Sequence, residues 1–315
     1  MESVFFRASI DALDNITTVF DDIHPLTVSL RYTRRVINEA VNSNASDVEI
    51  DYQQIIDPEN YVHGVNYKRA FIETSWDTQE ENLAWFLLNN LFAIHEGWAQ
   101  RLYDDVFRGH GYQEKSFIKN LQFPGLTGKF SSYYVTTNKR SIALDDAFFN
   151  TYMVKSGKDF NFNKLENYMI CYRFFKEARN CYMHHNIVAS KELIDAYNAL
   201  LPIATCNDLD VFEVPIILPP TLGQRVHLNR RGVIGFSQFV RRIIIITDIN
   251  LLRSKAAEKE FIDRKPADWY CRTLSGNVAY CKGQIERYSG KSGFLRATWT
   301  ADYQQFLIDN GIFTK

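Results

Sequence analysis

The stretch Lys176-Glu177-Ala178-Arg179-Asn180-Cys181-Tyr182-Met183-His184-His185-Asn186 brings an arginine, an asparagine and two histidines close together in the chain. Its surroundings have helical period. Leu165, Tyr168, Met169, Cys171, Tyr172 and Phe175 recur mostly at three- and four-residue steps, and no Gly or Pro interrupts residues 163–189. With Arg179 at zero on a wheel advancing roughly 100° per residue, Met183 falls at about 40°, Asn180 at about 100° and His184 at about 140°. Asn180 and His184 form an i,i+4 pair that can touch. His185, at about 240°, points away from the group.

One helix face thus offers a permanent cation, an amide and an imidazole. The planar guanidinium fork matches phosphate oxygens and stays charged. Imidazole takes and gives protons near neutral pH, and an amide beside it can fix its orientation. That set suits phosphodiester cleavage without a metal or other cofactor. The imidazole would take the proton of a ribose 2′-hydroxyl or protonate the leaving oxygen, and the guanidinium would offset charge on the phosphorane.

Arg179-Asn180-x-x-x-His184 resembles the R-x4–6-H signature of HEPN-domain ribonucleases, in which a polar residue, often Asn, follows the Arg. The direct resemblance covers about one helix. It implies a metal-independent endoribonuclease acting as a homodimer, with two copies of the motif facing each other in a composite site. Such enzymes are common in prokaryotic antiphage defence and toxin–antitoxin systems. The residues carried over are Arg179, Asn180 and His184. His185 also fits the allowed spacing, so both histidines stand as candidates, with the wheel favouring His184.

The 315 residues allow one large or two ordinary domains, and 46% hydrophobic residues can build a sizeable core. Five cysteines without a C-x-x-C pair argue against a disulfide framework and a structural zinc site, and suit a reducing cytoplasm. The start Met1-Glu2-Ser3-Val4-Phe5 has no basic n-region, and Ile243–Ile246, the longest aliphatic run, is too short to span a bilayer. No membrane association is expected. Charge is uneven. Residues 1–100 hold 6 Lys/Arg against 16 Asp/Glu, residues 101–200 hold 14 against 10, and the rest 16 against 11. A polyanion would avoid the first third.

Along the chain, the spacing predicts an amphipathic helix over 2–22 and a second one starting at Pro25 and running to about Val41. Residues 47–66 read as irregular, with a short strand at Val48–Ile50. A long helix from Asp77 to about Phe107 has the form of a capping box at Asp77 and Glu80 and a broad apolar face. It contains His95-Glu96, which we read as a partly exposed pair on a core helix rather than as a second acid/base pair near the motif. Gly109 and Gly111 end it. A short helix over 115–121 follows. Lys129, Tyr133, Tyr134, Lys139 and Arg140 mix cations with aromatics in a loop or hairpin, a pattern suited either to single-stranded RNA or to packing on the core. Helices are expected over 145–154, over the motif, and from the cap Ser190 to Leu201.

Beyond residue 203 the character changes. Val214 to Pro220 reads as an extended connector. Residues 221–255 hold seven Lys/Arg and His227 against one acid, Asp248. Arg225, Arg230, Arg231, Arg241 and Arg242 are candidates for an RNA-backbone surface, or for a solvated face flanking the buried run 240–252. Four consecutive Ile lean that run towards a strand. Residues 255–264 and 301–310 read as short helices, and 266–299 as a Gly-, Ser- and aromatic-rich region.

No phosphate-binding Gly-rich loop, nucleophile elbow or H-E-x-x-H is present in the sequence. The expected architecture is mostly α: a helical bundle resembling a HEPN domain over 1–203 and a smaller basic accessory region over 204–315. The expected function is RNA cleavage, with transfer RNA among the candidate substrates and an inhibitory or sensor partner restraining the enzyme. The rivals are a non-catalytic helical adaptor or sensor, and an RNA-binding protein working through 221–255.

Overall fold

The computed structural model describes residues 4–43, 66–111, 113–122, 140–159 and 161–315. They are mostly helical. In chain order the main elements are α1 (Arg7–Ser43), α2 (Trp76–Leu102), α3 (Glu114–Gln122), α4 (Asn150–Ser156), α5 (Leu165–His184), α6 (Lys191–Leu200), α7 (Arg230–Leu251), α8 (Ala257–Asp263), α9 (Val278–Lys291) and α10 (Ala301–Asp309). Two short strands, β1 (Arg272–Thr273) and β2 (Phe313–Thr314), pair in parallel. The expected strand at Val48–Ile50 and the segment with Lys129, Tyr133, Tyr134 and Lys139 lie outside the described residues.

α1 is one helix where two were expected, with Pro25 inside it. An interior proline costs about 3 kcal/mol through its lost N–H and its clash with the preceding turn. Burial on both sides offsets that cost: Ile16 and Ile23 precede the proline, and Thr27 and Ile37 follow it. Thr27 Oγ1 also donates to the Ile23 carbonyl at 2.7 Å. The α2 cap is Ser75, whose side chain accepts from Thr78 N at 3.1 Å, so the helix starts just ahead of the expected Asp77 box. A π-helical stretch, Tyr103–Phe107, extends α2, and Gly109 and Gly111 follow with φ of 83° and 77°.

α7 corrects the lean towards a strand. Asn229 caps it, its side chain accepting from Arg231 N at 2.9 Å and Gly232 N at 3.3 Å. Val233, Phe236, Val240, Ile243, Ile244, Thr247 and Leu251 are then buried at three- and four-residue steps. A helical stripe sustained over 22 residues outweighs the local preference of four β-branched side chains. α9 was not anticipated. Its signal is Asn277, whose side chain accepts from Ala279 N and Tyr280 N.

The core runs from Val4 to Phe313 as one cluster. At its centre α2, α5 and α7 share an aromatic seam. Phe175 stacks on Phe236 at 4.3 Å, Tyr168 on Phe239 at 5.5 Å, and Phe92 meets Tyr172 at 5.1 Å. Burying a side chain of this size contributes about 1.5–3 kcal/mol. α7 lies beyond residue 203 yet packs against α1, α2 and α5, so the core is continuous across the expected boundary.

The start of α1 is tied to the later helices. The buried carboxylate of Asp248, on α7, accepts from Phe5 N at 2.5 Å and Phe6 N at 3.0 Å. Glu260 accepts from Arg7 N at 3.0 Å, and Arg264 donates to the Phe5 carbonyl at 2.5 Å. The bonds to Phe6 N and Arg7 N satisfy N–H groups that the helix leaves open at its start. Among the described residues no helix is long and apolar enough to cross a membrane.

Candidate functional site

α5 is amphipathic about a buried aromatic side, and its polar residues emerge along the edge facing α2. The two helices run antiparallel. Tyr172 meets His95, Lys176 reaches Glu96, and Tyr182 stacks on Trp85 at 4.8 Å.

Arg179 is half-buried and turns towards α2, where Nη2 lies 3.7 Å from Glu96 Oε2. Lys176 pairs with the other oxygen of the same carboxylate. Arg179 Nε is buried and has no acceptor among the described residues. Asn180 donates through Nδ2 to Glu177 Oε2 at 3.0 Å, rather than to His184 as the wheel suggested. Glu177 is buried and also holds Arg173 at 2.5 Å. The motif's cation and amide are therefore positioned by two carboxylates, Glu96 and Glu177.

The helix ends earlier than expected, at His184, and His185 is its C-cap. Both imidazoles are exposed. The chain then turns sharply. Asn186 and Ile187 take φ of 49° and 67°, in the left-handed region. Asn tolerates that region, whereas a β-branched Ile there is strained. The turn is held from both sides. Ile187 N donates to the Cys181 carbonyl at 3.0 Å, Val226 N to the Ile187 carbonyl at 2.8 Å, and Ala189 N to the Gln224 carbonyl at 2.8 Å. Beyond it, the Glu192 carboxyl sits below its usual range, first through its own backbone N–H and the Ser190 hydroxyl, with the nearby His185 adding to the effect.

His95 is fully buried and its Nδ1 lies 3.1 Å from the Tyr172 hydroxyl. Burial, with help from the charge of Lys176, pulls its pKa down to about 3. A ring held neutral to that degree does not exchange protons near neutral pH, which agrees with a structural role, but it is fully buried where partial exposure was expected. Glu96 departs from that reading, because it is the partner of the motif arginine. Lys176 and Glu177 are site residues that spacing did not single out, whereas Glu96 was weighed with His95 as an acid/base pair and set aside. The sequence signal for Glu96 is its place beside His95 on the long helix, with nothing to say that the motif helix faces it.

The comparisons are silent. No family model, no curated protein and no solved structure matches the chain.

The cations expected to form an RNA surface are dispersed. Arg225 pairs with Glu81 at 3.6 Å and Arg230 with Glu80 at 3.4 Å, both carboxylates on α2. Arg231 pairs with Glu213 at 3.1 Å. Arg241 donates to the Leu13 carbonyl and Thr17 Oγ1 on α1. Arg242 donates to Tyr168 Oη and to the carbonyls of Leu209 and Asp210. A helix distributes successive side chains around its axis, so the arginines of α7 make contacts on several of its sides, while Arg225 precedes the helix. Arg140, from the cation–aromatic segment, pairs with the buried Asp145.

Proposed function

We propose that the chain is a metal-independent endoribonuclease that works as a homodimer. The supporting observation is Arg179: a half-buried guanidinium, positioned by one long ion pair and keeping an Nε donor without an acceptor among the described residues, about one and a half helical turns before two exposed imidazoles. Buried donors normally have partners, and a cation whose donors its own chain does not fill suits a phosphate brought to its accessible edge.

In the proposed reaction the ribose 2′-oxygen attacks phosphorus while an imidazole takes its proton. The bond from phosphorus to the 5′-oxygen breaks, and a protonated imidazole supplies the proton to that leaving oxygen. The products are a 2′,3′-cyclic phosphate and a 5′-hydroxyl. Arg179 holds the scissile phosphate, Asn180 positions it or the ring, and His184, or His185 beside it, is the general acid/base. Two copies of α5 facing each other would supply both proton carriers. Such an activity fits a cytoplasmic role in prokaryotic antiphage defence or a toxin–antitoxin system, with transfer RNA as a substrate to test and an inhibitory or sensor partner to restrain it.

The test is incubation with total RNA and transfer RNA in excess EDTA, beside an Arg179→Ala/His184→Ala double variant. Cleavage by the parent protein alone, leaving cyclic-phosphate ends, supports this function. Equal cleavage by both proteins removes the site. Active monomers in light scattering would remove the composite dimer.

A second function is favoured by one observation, that Arg179 and Asn180 are both engaged by carboxylates of their own chain. A helical adaptor or sensor would keep these contacts for stability alone. It predicts that the double variant retains its biological effect.

A further inference from the structure

Residues 223–227 are remote from the motif in sequence, yet they pair directly with the turn that follows it. Val188 bridges Arg225 in antiparallel fashion, and the bonds from Val226 N and Ala189 N lock the two segments together. The turn they lock contains Ile187, whose left-handed backbone persists because bonds on both sides fix it. Strain at such a residue is commonly kept where function needs the geometry.

The antiparallel course of α2 and α5 sets what lies next to that turn. Tyr182 stacks on Trp85, and one turn earlier on α2, level with the end of α5, is Glu81. Glu81 accepts from Trp85 Nε1 at 3.3 Å, and it holds Arg225 at 3.6 Å and His227 Nδ1 at 3.0 Å. The side chains of Arg225 and His227 are more than half exposed, while Glu81 beneath them is 15% exposed. Tyr182 is 37% exposed, its other face covered by the indole. An aromatic ring braced from behind, with an arginine and a histidine held on one carboxylate beside it, is the composition of a single-strand nucleic-acid subsite.

We propose that Tyr182, Arg225 and His227 form a subsite for single-stranded RNA beside the motif. Tyr182 stacks on a base flanking the scissile phosphate, and Arg225 and His227 hold the adjoining backbone phosphate. Glu81 orients Arg225 and His227, and the strained Asn186–Ile187 turn fixes their place relative to His184 and His185. This extends the ribonuclease function to its substrate: an unpaired strand, read by stacking and charge.

The test uses a single-stranded 2′-O-methyl RNA oligonucleotide, which cannot be cleaved through its 2′-oxygen, with binding to the full chain followed by fluorescence anisotropy. Tyr182→Ala is expected to weaken binding about fivefold or more, the lower end for one stacked base, and Tyr182→Phe to retain it. Arg225→Gln, which keeps a donor towards Glu81, is expected to lower the slope of log affinity against log salt by about 0.7. Arg296→Ala, an exposed cation paired with Glu286, serves as the control and should change neither. A thermal melt of each variant separates lost binding from lost folding, and Arg225→Lys should restore the slope.

Absence of binding by the parent protein, unaltered binding by both Tyr182→Ala and Arg225→Gln, or an equal loss with Arg296→Ala would each overturn the subsite. The probe is uncleavable, so the two proposals fail separately. Residue-specific binding without cleavage in EDTA supports the subsite and removes the nuclease. Cleavage with binding indifferent to Tyr182 and Arg225 does the reverse.

Discussion

Arg179 on α5 and Glu96 on α2 face each other across the helix interface, Nη2 to Oε2 at 3.7 Å, and Lys176 occupies the other oxygen of the same carboxylate. One acid thus holds two cations that stand one turn apart on the same helix. Lys176 is only 9% exposed there, and Glu96 29%.

Removing that acid leaves two adjacent cations in a partly desolvated place. Glu96→Gln is therefore expected to lower stability by about 1–3 kcal/mol, below the loss for a fully buried pair because water still reaches the site. The urea midpoint checks this. A midpoint equal to that of the parent protein would show that the pairing carries no net stability.

The two histidines separate by activity rather than by folding. Both are exposed, so His184→Ala and His185→Ala should each change stability by no more than about 0.5 kcal/mol. The one that transfers the proton should cost roughly 10²–10⁴ in cleavage rate. The wheel assigns that loss to His184. A loss confined to His185→Ala moves the role to the C-cap residue, and no loss in either places the chemistry elsewhere.

Two buried groups give opposite pH dependences. Burial first, then the Lys176 charge, lowers His95 from 6.5 to about 3. The unfolded chain takes up that proton first on acidification, so this contribution is complete above about pH 6.5 and is lost as pH falls towards 3. Asp248 behaves in the other sense. Burial raises it from 3.8 to about 7, against the opposing pull of the Phe5 and Phe6 N–H groups. The folded chain keeps its proton longer, so this contribution is present below about pH 3.8 and is lost as pH rises to about 7. Each slope is at most about 1.4 kcal/mol per pH unit. Urea unfolding across this range should show a flatter acid limb for His95→Gln and a smaller decline towards neutral pH for Asp248→Asn. Slopes identical to the parent would mean that neither group titrates as its burial implies.

Gly232 marks where the extended segment before α7 lies against the helix. A Cβ built there would come within 2.1 Å of the Ile216 carbonyl oxygen, which is backbone and cannot swing aside. Gly232→Ala should therefore cost about 1–3 kcal/mol, although alanine is the better helix former by roughly 1 kcal/mol. A thermal melt decides the sign. Stabilisation would mean that residues 212–218 shift at no cost.

Short-range signals in the sequence carried much of the fold. Ser190, whose side chain accepts from Leu193 N, starts α6 where its spacing suggested, and Gly109 and Gly111 stop the long helix by taking left-handed backbone. Signals that mix two scales misled. Pro25 reads locally as a helix start, and four isoleucines read locally as a strand. In both places burial summed over a long helix outweighs the local preference.

The sequence by itself determined the helical class, the apolar stripe of α5 and the presence of Arg179, Asn180, His184 and His185 on one short stretch, because period and capping act between residues a few positions apart. Only the tertiary structure decided what those residues meet. Glu96 is 80 positions from Lys176, and Glu81 is 146 from His227. Contacts at such separations depend on which helix packs against which, a choice made by aromatic surfaces such as Phe92, Tyr172, Phe175 and Phe236 rather than by the charged residues those surfaces bring together.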